Sequence, residues 1–195
     1  MRTAKVQRNT LETQITLNLN VDGTGASEIK TPVGFLNHML TLWTKHGCFD
    51  LKLKVKGDTE VDAHHTVEDI GICLGRAFKE VLGDRKGIVR FSNVILPMDE
   101  ALVLVAVDLS GRGFIAFKAE FKSQRVGDFD TELVEEFFRA LAINSGMTLH
   151  IKMLAGKNTH HIIEAMFKAT GRAMRYAAAK DERSSDIPSS KGVLV

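Results

Sequence analysis

Cysteine is scarce, with only Cys48 and Cys73 in 195 residues. Two thiols make no disulfide framework, and Cys73 falls inside a helical pattern, so a reducing, cytoplasmic setting is expected. A dominant charge is missing as well. Lys and Arg number 26 against 24 Asp and Glu, a net charge of +2, with no long basic run and no basic patch interleaved with aromatics. Nothing therefore speaks for a nucleic-acid partner. Long apolar runs are absent too: the longest is about Ala101 to Val107, and the N-terminus has no apolar secretory core. No membrane partner is expected. A chain of this length has room for one ample core or for two small halves that share one.

What the sequence does contain is a duplication. His64-His65-x-x-Glu68 returns as His160-His161-x-x-Glu164, 96 residues on. The match continues past these polar residues: Gly75-Arg76-Ala77 falls on Gly171-Arg172-Ala173, and Val67, Ile70, Phe78 and Val81 fall on Ile163, Met166, Met174 and Ala177. Apolar positions step by three and four, which marks one buried helical face in each copy. Each His-His-x-x-Glu therefore opens a helix.

Around these helices the two halves follow one plan. Gln14 to Val21 alternates as a half-buried strand, a helix runs from Phe35 to Lys45 after Pro32 and stops at Gly47, and Leu51 to Lys56 alternates again before the first doublet. The breaker cluster Gly83 to Gly87 separates the halves. Beyond it, Ala101–Leu109 and Phe114–Phe121 read as strands of a hairpin with Arg112 at its tip. Asp130-Thr131 reads as the cap of a helix that ends at Gly146, and Leu149 to Met153 as a strand leading to the second doublet. The expected fold is α+β: a single domain over residues 1–195 built of two fused repeats, each a small sheet packed with helices. The halves cover about 1–86 and 87–180, and an irregular tail covers 181–195.

Helical geometry constrains how the doublets can bind metal. At about 100° per residue, the first His and the Glu four places on lie roughly 40° apart, whereas adjacent His diverge by roughly 100°. One ion is not easily gripped by both His of a doublet, so each His serves a different ion and two helices clamp two ions between them. His38 and Glu136, placed early in corresponding helices and 98 residues apart, are candidates to complete the shells. Imidazole and carboxylate at five or six positions suit Mn²⁺ or Fe²⁺ better than Zn²⁺, and manganese is the expected ion. His150, opposite Leu149 and Ile151 in its strand, reads as a surface residue. A dinuclear metallohydrolase would want similar donors.

Five segments together resemble the imidazoleglycerol-phosphate dehydratase family over nearly the whole chain: Phe35-Leu36-Asn37-His38-Met39-Leu40, His64 to Asp69, Asp108-Leu109-Ser110-Gly111-Arg112, His160 to Ala165, and Pro188-Ser189-Ser190-Lys191-Gly192. The resemblance implies two manganese ions per subunit, one on His38, His65, Glu68 and His160, the other on His64, Glu136, His161 and Glu164. It implies that Arg90, Arg112, Lys168, Ser189, Ser190 and Lys191 hold a substrate phosphate, with donors suited to a dianion. Glu12 would contact the substrate and carry the proton, with Glu68 and Glu164 also at the catalytic centre. The implied reaction is dehydration of imidazoleglycerol phosphate to imidazole-acetol phosphate in histidine biosynthesis, with the ring held as imidazolate at a di-manganese site. The implied assembly is a homo-oligomeric shell of twenty-four subunits. Asn37 stands where the family usually has Asp, and Glu136 where many members have His.

Overall fold

The computed structural model describes residues 1–194. In the first half, β1 (Thr3–Asn9), β2 (Thr13–Asn20) and β3 (Ser27–Lys30) lead to α1 (Gly34–Gly47), β4 (Asp50–Gly57) and α2 (His64–Leu82). β2 buries Ile15, Leu17 and Leu19 on one face because these alternate with polar residues. It pairs antiparallel with β1 and β4, and β3 runs parallel to β4, giving the order β1-β2-β4-β3. A parallel neighbour needs a crossover, and α1 supplies it.

The second half repeats this plan. β5 (Phe91–Met98), β6 (Ala101–Asp108) and β7 (Phe114–Lys118) are followed by a small hairpin, β8 (Arg125–Val126) and β9 (Phe129–Asp130), then α3 (Leu133–Ser145), β10 (Thr148–Ala155) and α4 (Thr159–Ala178). Its sheet has the order β5-β6-β10-β7, with β7 parallel to β10. The repeat offset drifts along the chain. It is 88 residues at β1 and β5 (Thr3 to Phe91) and 98 at the left-handed residues that end α1 and α3 (Cys48 to Gly146). The inserted β8–β9 hairpin lengthens the second half, and a loop two residues shorter before α4 brings the offset back to 96 at the doublets. His38 and Glu136, 98 apart, hold equivalent places on α1 and α3.

Three local expectations are corrected. β6 and β7 are not hairpin partners, because β10 inserts between them and Arg112 lies in the connection that passes over its end. Thr131 does not cap α3: its hydroxyl donates to the carbonyls of Ser123 and Gln124, and Asp130 pairs with Arg125, so both secure the β8–β9 hairpin. The left-handed residue after α1 is Cys48 (φ 52°) and not Gly47, which stays glycine because a Cβ there would lie 2.4 Å from the Phe49 ring. Cys73 is buried, and that burial, with the charge of Asp69, pushes its thiol up to about 11. No disulfide joins the two cysteines.

The halves meet through their helices. α1 packs on α4 and α2 on α3, while α2 also covers the first sheet and α4 the second. One continuous apolar core results. The repeated glycines mark close approaches in both helix pairs: a Cβ on Gly171 would lie 2.4 Å from the Trp43 carbonyl oxygen of α1, and one on Gly75 2.8 Å from that of Leu141 on α3. Trp43 and Leu141 are themselves 98 apart, so the two contacts are copies of each other.

These contacts yield a stability prediction. Gly171→Ala forces backbone apart in a packed seam and should cost about 1–3 kcal/mol, whereas Gly34→Ala, with nothing within 4 Å of the new methyl, should change stability by less than about 0.5 kcal/mol. Urea unfolding of the two variants provides the check, and equal midpoints would remove Gly171 from the seam's determinants.

Candidate metal centre and phosphate cleft

Each doublet occupies the start of its helix. Asn158 caps α4 by accepting from the backbone N–H groups of His160 and His161, and Asp62 accepts from the N–H of His64 at 2.7 Å. Within each doublet the ring planes are steeply inclined to each other, by 89° for His64 and His65 and by 82° for His160 and His161.

Because α1 packs on α4, His38 on α1 is carried to the first turns of α4. His38 Nε2 and His160 Nε2 lie 3.5 and 3.2 Å from Glu164 Oε2, and the three ligand atoms all fall within 4.8 Å of one another. Glu164 is buried, and its other oxygen meets Lys168 Nζ at 2.5 Å. Burial alone would raise the carboxyl pKa, but the hydrogen bonds from Lys168 and His160 outweigh it and leave the group below its ordinary range. Two imidazole nitrogens and a carboxylate converging in this way form a donor set that could hold a divalent transition-metal ion.

The second His of each doublet turns to other carboxylates. His65 Nδ1 meets Asp58 at 3.0 Å, and its Nε2 lies 3.7 Å from Glu12 Oε1; these three also form a convergent group. His161 Nδ1 meets Glu100 at 2.8 Å. Hydrogen bonding to Asp58, with the charge of Glu12, raises the His65 pKa, and Glu100 does the same for His161. In turn the His161 ring and the N–H groups of Asn158 and Lys157 pull Glu100 down to about 2.

Not all the expected ligands gather. Glu136, His64 and Glu68 hold the places equivalent to His38, His160 and Glu164, but among the described residues their ligand atoms form no group within 4.8 Å. Glu136 instead lies 3.6 Å from Arg139. One chain thus presents partial donor sets and no complete shell of four. His150 is exposed, beside Phe114.

At the far end of the β5–β6 hairpin is a second feature. Arg90 donates to both oxygens of Asp108 (2.8 and 3.2 Å) and to the Pro188 carbonyl (2.7 Å), holding the tail against the sheet. Its backbone is left-handed (φ 75°), an uncommon conformation for a non-glycine residue that the surrounding bonds over-determine. Arg90, Arg112, Ser189, Ser190, Lys191, Val193 and Leu194 enclose a cleft of about 210 Å³. Lys168 is not in it, since its ammonium sits on Glu164 at the other end of the sheet.

Several carboxylates at the site escape a reading by the 96-residue repeat. Glu100 stands 88 residues after Glu12, the offset of the strands and not that of the doublets, so only strand-by-strand alignment reveals the pair. Asp69, just after the first motif, is buried and binds Thr13 Oγ1 at 2.5 Å and Arg8 Nε at 2.8 Å. It pins the β1–β2 turn, which carries Glu12, against the doublet helix.

The molecule is a duplicated α+β scaffold with groups of imidazole and carboxylate at its helix starts that could hold metal. Comparison with known proteins gives its family. The pattern of imidazoleglycerol-phosphate dehydratase matches residues 31–174. The chain is 60% identical over 193 residues to the imidazoleglycerol-phosphate dehydratase of Acetivibrio thermocellus, covering 99% of each chain, and 57% identical to that of Desulforamulus reducens, covering 99% and 98%. The crystal structure of the Staphylococcus aureus enzyme superposes with a TM-score of 0.84 at 46% identity, over 91% of this chain and 99% of that one. The Pyrococcus furiosus structure gives 0.85 at 40%, over 97% and 100%. The chain belongs to the imidazoleglycerol-phosphate dehydratase family and is a hydro-lyase.

The Asp69 anchor is testable. Asp69→Ala leaves the Thr13 hydroxyl without its acceptor and Arg8 without its ion-pair partner and should lower stability by about 1.5–3 kcal/mol. Hydrogen exchange should quicken in the β1–β2 turn more than in the β5–β6 turn. Uniform exchange in both turns would show that Asp69 does not pin the Glu12 turn.

Proposed function

We propose that this chain dehydrates imidazoleglycerol phosphate to imidazole-acetol phosphate in histidine biosynthesis, at sites that hold two manganese ions per subunit and draw on more than one copy of the chain. The observation that carries this reading is the placement of two complementary features on one hairpin. The His38, His160 and Glu164 cluster lies beside the β5–β6 turn, and the arginine-lined cleft lies at the opposite end of the same strands. Eight strand residues separate them, a distance of about 25 Å. The substrate, a ring on a three-carbon arm, spans on the order of 8 Å. Ring and phosphate are therefore bound by different copies.

The outer faces of the two sheets support such an assembly. Lys52, Lys54, Lys56, Gln14, Thr16 and Asn18 make the first sheet's outer face polar, while Phe91, Ile95, Leu102, Leu104 and Phe114 give the second sheet's outer face apolar surface beside Asn93, Lys118, His150 and Lys152. A face of that kind is suited to burial against another copy. A shell of twenty-four subunits is the assembly we propose.

In this reading the metal ligands are His38, His65, Glu68 and His160 for one ion and His64, Glu136, His161 and Glu164 for the other, gathered across copies. When bound, manganese supplies a Lewis-acid template that favours the imidazolate form of the ring. The protein's own groups do the rest. Arg90, Arg112, Ser189, Ser190 and Lys191 grip the phosphate dianion from one copy, and Lys168 reaches it from the copy that supplies the histidines. The carbon-bound proton is not acidic, so elimination depends on electron release from the ring towards the departing hydroxyl. In this reading Glu12 takes that proton, a role supported by its half-exposed carboxylate 3.7 Å from His65 Nε2, and the resulting enol ketonises.

Incubating the manganese-loaded protein with imidazoleglycerol phosphate should give the ketone with its phosphate ester intact, and chelation should abolish turnover. Release of inorganic phosphate would point to a hydrolase instead. Removing residues 188–195 should raise KM for the phosphorylated substrate at least tenfold, the scale of losing one charge-assisted contact. It should leave the affinity for a triazole fragment unchanged. Equal effects on both ligands would detach the tail from phosphate binding.

A further inference from the structure

The two halves bring a carboxylate to the second histidine of each doublet by different routes. In the first half Asp58, directly after β4, meets His65 Nδ1 at 3.0 Å. The position equivalent to Asp58 after β10 is Gly156, 98 residues on. No side chain fits there: Gly156 has φ 147°, and a Cβ would lie 2.7 Å from Ile162 and 3.3 Å from the backbone of Ala101. In the second half the carboxylate comes instead from the strand turn, where Glu100 meets His161 Nδ1 at 2.8 Å. Glu100 is the copy of Glu12, each being the residue that precedes the second strand of its half.

We propose that Asp58 and Glu100 are positioning residues that fix Nδ1 of His65 and His161 as the protonated nitrogen and so turn Nε2 of each ring, unprotonated, towards the metal. This rests on the reading that both histidines are ligands. A carboxylate on the far nitrogen of a ligating imidazole sets its tautomer and rotation and increases its basicity. The exchange has a consequence for catalysis. With Asp58 holding His65, the turn carboxylate of the first half is released from that task, and Glu12 stands free near Nε2 for the substrate. Its copy Glu100 is locked by three bonds, to His161 and to the N–H groups of Lys157 and Asn158 at 3.1 and 2.7 Å.

Glu100→Gln gives a sharp test because it preserves size while removing one acceptor oxygen. The two backbone N–H groups retain the amide oxygen, so the amide NH₂ faces His161 Nδ1 and forces the proton onto Nε2, the wrong tautomer for a ligand. Mn²⁺ binding to the full chain, followed by the resonance signal of the free ion, should weaken 10–100-fold at one of the two sites in Glu100→Gln. Asp58→Ala, in an exposed loop, should weaken the other. Glu12→Gln should leave both affinities unchanged and lower kcat. His161→Ala is the reference: if it leaves Mn²⁺ affinity unaltered, the ligand reading itself fails. If His161→Ala abolishes one site while Glu100→Gln binds as tightly as the native protein, with an unchanged melting temperature, the positioning role is wrong. A loss of affinity in Glu12→Gln equal to that in Glu100→Gln would overturn the division of labour between the two copies.

Discussion

Neighbouring residues on a helix cannot face the same way, and the organisation of this protein follows from that constraint. Two histidines in sequence diverge by about 100°, and here the second ring of each doublet turns to a carboxylate that the first does not meet. Each doublet therefore addresses two directions at once. One direction points along the seam between the halves, where α1 delivers His38 to His160 and Glu164. The other points to the carboxylates of the strand turns and loops, Asp58 and Glu12 for His65 and Glu100 for His161. In the proposed two-metal reading, ligands that diverge within a chain would need a second chain to complete their shells, which would tie the site to assembly.

The duplication explains both the likeness and the differences of the halves. The Gly171–Trp43 and Gly75–Leu141 contacts bring helices of opposite halves close enough for a residue on one to reach the doublet on the other. Divergence is concentrated where copies would otherwise be redundant. One half gains the β8–β9 hairpin and loses two loop residues before its doublet helix. One sheet keeps a lysine-rich outer face, and the other carries more exposed apolar side chains, Phe91, Ile95 and Phe114 among them.

Much of this was legible in the sequence, because the decisive signals were local and repeated. The doublets, their helical register and the end of α3 at Gly146 follow from periodicity and glycine placement, and the family followed from five short segments. The strand order did not. Ala101–Leu109 and Phe114–Phe121 are neighbours in sequence, but β10 inserts between them in space, and pairing across such a gap leaves no trace in local pattern. β1 and β5, edge strands with mixed faces, gave weak alternation for the same reason. Glu100 was hidden because insertions change the repeat offset from 88 to 98 to 96 along the chain. The placement of Lys168 on Glu164, away from the tail cleft, likewise depends on tertiary packing alone.

Complementation between defective copies tests most directly the claim that metal cluster and phosphate cleft belong to different chains in one site. Arg112→Ala damages only the cleft and His160→Ala only the metal cluster, and each alone should be nearly inactive. Co-expressed, the two should assemble mixed shells in which about a quarter of the sites pair an intact cleft with an intact cluster, and activity should return in that proportion. If mixed assemblies form and remain as inactive as either parent, ring and phosphate are bound by a single copy and the account of a shared site is wrong.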